Sequence, residues 1–193
     1  MKIAITGGIG VGKSYVCRVL NSKGFVVYDC DDAAKRLMAT DENLRQELLK
    51  VVGKDVYSGE ILQKSVLAKF LLASDENKKL VEDVVHPYVA RDFEQSGMDW
   101  LESAILFEAG FDKRVKLDYV LCVTAPEEVR RRRIVLRDHI SSDKAQEWIE
   151  CQMPQYEILR RSDFEIINDG KHDVEQQVEV LLHSLAAMET KKK

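Results

Sequence analysis

The stretch Gly7-Gly8-Ile9-Gly10-Val11-Gly12-Lys13-Ser14 decides the fold of this chain. It matches the pattern G-x-x-x-x-G-K-[ST] in full, between an apolar strand pattern at Lys2–Ile5 and a helix pattern at Tyr15–Leu20. Glycines let the backbone wrap so that its N–H groups face anionic oxygens, and the start of the next helix favours negative charge. The stretch therefore predicts a P-loop that binds the phosphates of ATP. A glycine-rich turn without a ligand is the alternative, which this context disfavours.

The residues of the loop have separate predicted roles. Lys13 is expected to reach the β- and γ-phosphates, and the hydroxyl of Ser14 to bind Mg²⁺. Asn168 follows the last strand pattern, where it either borders the adenine or only forms an Asn-Asp-Gly turn. The predicted contacts with ATP are Gly8, Ile9, Gly10, Val11, Gly12, Lys13, Ser14, Tyr15 and Asn168.

Apolar runs separated by helical patterns predict an α/β protein of three layers, α/β/α, around a five-stranded parallel sheet. Continuous apolar runs are typical of strands buried on both faces. The predicted strands are Lys2–Ile5, Phe25–Tyr28, Leu101–Leu106, Tyr119–Val123 and Phe164–Ile167. The last helix is predicted from about Asp173, with a frayed tail at 191–193.

Two helical insertions interrupt this predicted core. Residues 32–90 contain no convincing strand pattern, and residues 126–160 are helical and basic. Both follow the carboxyl ends of strands, where open α/β sheets bind their ligands. We therefore predict a nucleotide-binding core at 1–31, 91–125 and 161–193, a helical acceptor-binding domain at 32–90 and a lid at 126–160.

Composition excludes several classes of protein. The net charge of -4 disfavours nucleic acid or a membrane surface as the partner, and the four cysteines form no C-x-x-C pair that would suggest zinc. The N-terminus shows no signal peptide, and no run reaches the ~20 apolar residues that a membrane span needs. We expect a cytoplasmic protein.

An acidic cluster favours a kinase among the P-loop proteins. The chain has neither the Asn-Lys-x-Asp nor the Asp-x-x-Gly pattern of GTPases, but the strand Phe25–Tyr28 runs into Asp29-Cys30-Asp31-Asp32. A kinase needs a carboxylate that orients the acceptor hydroxyl and takes its proton. Asp29 and Asp31 point the same way if the extended backbone continues, whereas Asp31 or Asp32 alternatively caps the following helix.

An ordered set of motifs gives the chain a clear resemblance to the dephospho-CoA kinase family. The P-loop from Thr6 to Ser14 is followed by Asp29-Cys30-Asp31, His86-Pro87, a strand end at Leu106-Phe107-Glu108 and several later motifs. These later motifs are Arg137-Asp138, Gln152-Met153, Ser162-Asp163 and Asn168. Two departures stand out, since the family commonly has Ser-Thr where this chain has Ser14-Tyr15, and Ala where it has Cys30.

The resemblance implies that the chain transfers the γ-phosphate of ATP to the ribose 3′-hydroxyl of dephospho-CoA, in the final step of coenzyme A synthesis. It implies that Asp31 is the catalytic base and that Asp29 holds the acceptor or the water shell of Mg²⁺. His86 and Glu108 are candidate acceptor contacts, each with a structural alternative. The expected partner is dephospho-CoA alone, with the chain a monomer or weak homo-oligomer.

Arginines of the predicted lid complete the candidate site. Arg137 is the one chosen for catalysis, because a guanidinium there can fold onto the transferring phosphoryl group, although a surface ion pair with Asp138 or Glu128 is the alternative. The run Arg130–Arg133 is interpreted mainly as a solvated face with one or two members turned toward phosphates. The alternative functions are another small-molecule or nucleoside monophosphate kinase of this fold, and an ATP-binding regulator without catalysis.

Overall fold

The computed structural model describes residues 1–191 of the chain. The five strands of the main sheet are β1 (Ile3–Thr6), β2 (Val27–Asp29), β5 (Trp100–Glu102), β6 (Tyr119–Thr124) and β7 (Phe164–Ile167), and two further short strands are β3 (Tyr57–Ser58) and β4 (Ile61–Leu62). The main sheet has the order β2-β5-β1-β6-β7, with β1 parallel to both of its neighbours and β6 parallel to β7. The prediction of a five-stranded parallel sheet with flanking helices is confirmed.

Helices fill the connections between these strands. They are α1 (Lys13–Ser22), α2 (Cys30–Thr40), α3 (Glu42–Val52), α4 (Lys64–Ala73), α5 (Asp75–Ser96), α6 (Phe111–Arg114), α7 (Glu127–Asp138), α8 (Ser142–Glu150), α9 (Gln155–Arg160) and α10 (Val174–Lys191). Of the predicted tail, Lys191 is the last helical residue, and positions 192 and 193 lie outside the described part of the chain.

The chain forms two compact units. The first comprises Met1–Tyr28, Met98–Asp112 and the chain from Lys116 onward, and the second comprises Asp29–Gly97 with Lys113–Val115. The helices predicted as a lid belong to the first unit, and the division into three domains stays a prediction.

The first unit is built around β1, whose four residues are all buried. The flanking helices bury apolar faces against the sheet, among them Val16 and Leu20 of α1. Helix α10 begins after Asp173, whose carboxylate accepts a hydrogen bond from the N–H of Gln176. Its buried residues recur at helical spacing, as the sequence predicted: Val174, Val178, Leu181 and Leu185.

The second unit is a helical cluster in which α2, α3 and α4 pack against α5. The sequence predicted no strand between residues 32 and 90, and this was wrong, since β3 and β4 form a small antiparallel hairpin. Gly59 makes its turn with a φ of 60°, a conformation that most residues avoid. Helix α5 continues through Pro87 to Ser96, although proline within a helix commonly kinks or ends it.

His86 lies in α5, and its surroundings disfavour a positive charge. Burial, together with the positive charge of Arg114, lowers the pKa of its imidazole to about 4, and the negative charge of Asp83 opposes the shift. In the unfolded chain a histidine binds its proton near pH 6.5, so the unfolded state takes up a proton first as the pH falls.

We therefore expect the free energy of unfolding to fall by about 1–2 kcal/mol between pH 6.5 and pH 4, a value reduced from the full shift because the side chain is partly exposed. Urea unfolding of the wild type and of His86→Asn across this range measures the effect. The difference between the two proteins should change with pH, whereas the control His183→Asn, at an exposed histidine of α10, should run parallel to the wild type. Parallel curves for His86→Asn as well would contradict the expectation.

The four thiols have different environments. None forms a disulfide, Cys30 and Cys122 are buried, Cys17 is partly buried and Cys151 is exposed. Cys30 is thus a small buried residue at the start of α2. Burial, supported by the negative charge of Glu165, raises the pKa of Cys122 to about 12. Within residues 1–191, no cluster of three or more His, Cys, Asp and Glu side chains is arranged for a metal ion, and no helix is long and apolar enough to cross a membrane.

Candidate active site

The P-loop joins β1 to α1 and packs closely against β6 and Asn168. Gly12 precedes α1 with a φ of 91°, and a side chain there would collide with the amide nitrogen of Asn168. Gly7 has a φ of 139°, and a side chain there would overlap the carbonyl oxygen of Val123 on β6. Glycine at these two positions is therefore required by backbone conformation and by space together. The loop has the geometry that the sequence predicted for a phosphate cradle.

Lys13 begins α1, and two oxygens surround its ammonium group. Its Nζ donates a hydrogen bond to the carbonyl oxygen of Gly7 at 2.9 Å and lies 3.6 Å from Oε1 of Glu102. Both side chains are largely buried, at 11% and 17% exposure. A carboxylate at this distance holds the lysine at the mouth of the loop, where a phosphate can replace the Gly7 carbonyl.

Glu102 is the site residue that the sequence analysis missed. Strand β5 was predicted to run to Leu106 and to place Glu108 at its end, but it ends at Glu102, which pairs in register with Ile5 of β1. Glu108 lies in the turns that follow, is exposed, and accepts a hydrogen bond from the N–H of Met153 at 3.2 Å. Its predicted contact with the acceptor stays a prediction.

Two arginines of α7 donate hydrogen bonds to backbone carbonyl oxygens of the P-loop. Arg130 is only 5% exposed, and its Nε donates to the carbonyl oxygen of Ile9 at 2.9 Å. Arg133 donates to the carbonyl oxygens of Gly10 and Val11 at 3.3 and 3.1 Å. Burial lowers the pKa of both guanidinium groups, and the negative charges of Glu127 and Asp169 respectively oppose the shift.

Those two arginines were not singled out from their run of four. Their spacing of i, i+3 could have identified them in the sequence, because it puts both on the face of α7 that also buries Ile134. Two of the four therefore turn toward the loop, and the expected contact of the run with phosphates stays a prediction.

Two polar side chains complete the layer behind the loop. The amide of Asn168 donates from Nδ2 to the carbonyl oxygen of Val11 at 2.8 Å, and its Oδ1 accepts from Arg133 at 3.2 Å. Oε1 of Gln152 accepts from the N–H of Ile9 at 2.6 Å. The predicted contact of Asn168 with ATP stays a prediction.

The exposed side of the loop offers the groups that a metal–nucleotide complex needs. Ser14 and Tyr15 are both exposed in the first turn of α1, and the guanidinium of Arg18 lies 5.6 Å from the ring centre of Tyr15. The hydroxyl of Ser14 and the carboxylate of Glu102 are oxygen ligands of the kind that Mg²⁺ prefers. The chemistry of these two side chains would suit Mg²⁺, and its binding stays a prediction.

The acidic cluster is arranged differently from the expectation. Asp29 ends β2, and its Oδ1 accepts a hydrogen bond from the N–H of Asp32 at 2.9 Å, so Asp29 caps α2 rather than Asp31 or Asp32. The helix begins at Cys30, so the extended backbone does not continue to Asp31. Asp32 pairs with Lys35 at 2.8 Å. Asp31 is exposed in the first turn of α2, and its role as the base stays a prediction.

Arg137 lies in the last turn of α7. Its side chain is 61% exposed, and its Nη2 lies 2.7 Å from the carboxylate of Asp138. This is the ion pair that the sequence analysis named as the alternative to catalysis. The assignment of Arg137 to the transferring phosphoryl group stays a prediction.

Comparison with known proteins decides the family. The dephospho-CoA kinase family matches residues 1–173 of this chain. The chain is a member of the dephospho-CoA kinase family. Dephospho-CoA kinase from Bacteroides fragilis is 40% identical over 185 residues, covering 92% of this chain and 89% of the relative. The enzyme from Porphyromonas gingivalis is 36% identical over 183 residues, covering 91% and 90%.

Solved structures agree with the fold of the chain. A Thermus thermophilus protein is 33% identical with a TM-score of 0.78, and the match covers 97% of each chain. Dephospho-CoA kinase from Campylobacter jejuni is 24% identical with a TM-score of 0.67 over 98% of this chain and 100% of its own, so it supports the fold alone. As a member of the dephospho-CoA kinase family, the chain is an ATP-dependent kinase of the final step of coenzyme A synthesis.

Proposed function

We propose that this chain transfers the γ-phosphoryl group of ATP to the ribose 3′-hydroxyl of dephospho-CoA, and that the residues described above divide the work. The observation that carries the proposal is the position of Lys13. Its ammonium lies between the Gly7 carbonyl and the Glu102 carboxylate, at the P-loop of a chain that belongs to the dephospho-CoA kinase family.

The P-loop binds and orients the donor. Its backbone N–H groups and the start of α1 face the phosphates, and the ammonium of Lys13 leaves Gly7 to contact the β- and γ-phosphates. Ser14 and Glu102 would hold Mg²⁺, which when bound neutralises charge on the phosphate oxygens. Lys13 then stabilises the charge that moves to the β-phosphate as the bond breaks.

The acceptor side of the reaction needs a general base, and Asp31 is the residue proposed for it. Asp29 caps α2 and so sets the position of the first turn that carries Asp31. Asp31 takes the proton of the 3′-hydroxyl, the hydroxyl oxygen bonds to the γ-phosphorus, and the bond from that phosphorus to the bridging oxygen breaks to release ADP. His86 and Glu108 contact the acceptor, and Arg137 of the lid contacts the transferring group.

Incubation of the purified protein with Mg²⁺, ATP and dephospho-CoA tests the proposal. We expect coenzyme A and ADP in equal amounts by liquid chromatography, with the new phosphate on the 3′-oxygen by ³¹P NMR. A panel of nucleoside monophosphates and shikimate serves as the comparison, since shikimate kinase from Aquifex aeolicus shares the fold with a TM-score of 0.50 and 18% identity. Turnover of a panel member without turnover of dephospho-CoA would reject the proposal, as would ATP binding without any product.

A further inference from the structure

Three consecutive carbonyl groups of the P-loop accept hydrogen bonds from side chains outside the loop. Arg130 binds the oxygen of Ile9, Arg133 binds those of Gly10 and Val11, and Asn168 also binds that of Val11. All of these bonds connect α7 and the end of β7 to the outer surface of the loop.

These contacts set the direction of the N–H groups on the other side of the loop. In a planar trans peptide the C=O and N–H bonds point in opposite directions. Holding the carbonyl of Ile9 therefore turns the N–H of Gly10 away from Arg130, and holding the carbonyl of Val11 turns the N–H of Gly12 away from Asn168. The N–H of Val11 turns back to the carbonyl of Gly8 at 3.4 Å. The N–H groups of Gly10 and Gly12 thus face the cradle.

Asn168 fixes the Val11 carbonyl through a neutral side chain. Its side chain is 7% exposed, and both ends of its amide are engaged inside the protein, Nδ2 by Val11 and Oδ1 by Arg133. The amide keeps one further N–H and one further lone pair, but at 7% exposure little of the side chain is accessible to the edge of a base.

We infer that Asn168, with Arg133, is a positioning residue for the polyphosphate chain and does not read the base. The inference rests on the proposed function for the choice of ligand, a nucleoside triphosphate. It predicts that Asn168 affects every polyphosphate equally, with or without a nucleoside attached.

Calorimetric titration of Asn168→Leu with ATP, GTP and inorganic tripolyphosphate tests this role, because tripolyphosphate has no base. We expect the Kd of all three to rise about tenfold together, with the ratio of GTP to ATP affinity unchanged. The turnover number at saturating ATP should change less than the Kd, since the cradle re-forms once the phosphates are bound.

The control is Asn21→Leu, the same substitution at an exposed residue of α1, which should bind all three ligands as the wild type does. Thermal melting comes first, and Asn168→Ala replaces Asn168→Leu if leucine prevents folding. An unchanged Kd for tripolyphosphate with a lost preference for ATP over GTP overturns the inference and makes Asn168 a base contact. Unchanged binding of all three ligands also overturns it. Because binding is measured without an acceptor, a failure of dephospho-CoA turnover remains a separate result.

Discussion

Replacing Lys13 with alanine is expected to lower kcat/KM for the kinase reaction by about 10³-fold while the protein stays folded. Its ammonium carries a full positive charge beside the P-loop, and the substitution removes it from a largely buried position next to Glu102. A loss of this size corresponds to about 4 kcal/mol of transition-state stabilisation. Steady-state kinetics with dephospho-CoA measures it, and circular dichroism with thermal melting verifies the fold.

Lys23→Ala is the matched control for this substitution. Lys23 follows the other end of α1 and also pairs with a glutamate, Glu179, at 2.7 Å. The substitution Lys23→Ala removes the same charge from the same unit. Near-normal turnover in this variant would therefore assign the loss in Lys13→Ala to the phosphate site. A value of kcat/KM within tenfold of the wild type in Lys13→Ala would remove the lysine from its proposed role.

Changing Asp31 to asparagine is expected to lower kcat by about 10²–10⁴-fold, the usual contribution of a general base. Asparagine keeps the size of the side chain and its place in the first turn of α2, but it cannot take the proton of the acceptor hydroxyl. The affinity for ATP should stay close to that of the wild type. Rapid-quench measurement of the chemical step, together with calorimetric ATP titration, separates the two effects.

The neighbouring Asp32→Asn is the control for the acidic cluster. Asp32 is 74% exposed and pairs with Lys35, so its loss changes the local charge by the same amount. We expect turnover in Asp32→Asn to stay near that of the wild type. Equal losses in both variants would indicate that the net charge of the cluster matters and that Asp31 has no specific role as a base.

The fold was largely predictable because it depends on patterns that are local. The glycine pattern and its flanking strand and helix identify the P-loop, and continuous apolar runs identify buried strands. The end of β5 was not predictable in this way, because Leu106 and Phe107 are buried in turns beyond the strand and continue its apolar run. The hairpin at Tyr57–Leu62 was missed because each of its strands has only two residues.

The candidate site was predictable where a residue belongs to a local sequence motif, and not where its contacts depend on the packing of distant elements. Lys13 was assigned from its motif alone. Glu102 reaches Lys13 only through the pairing of β1 with β5, which are separated by more than ninety residues of sequence. Asp29 became the cap of α2 because the helix begins immediately after β2, a boundary that side-chain patterns do not set. The contacts of Arg130 and Arg133 with the loop likewise come from the packing of α7.

The environments of the four thiols have a practical consequence for following this protein in solution. Maleimides and similar reagents attack the thiolate of an accessible cysteine. Cys151 combines exposure with a position directly before Gln152, which bonds to the P-loop, whereas Cys122 is buried with a pKa of about 12. A fluorophore attached at Cys151 of the natural sequence would thus report on the surroundings of the loop as substrates bind, without an engineered labelling position.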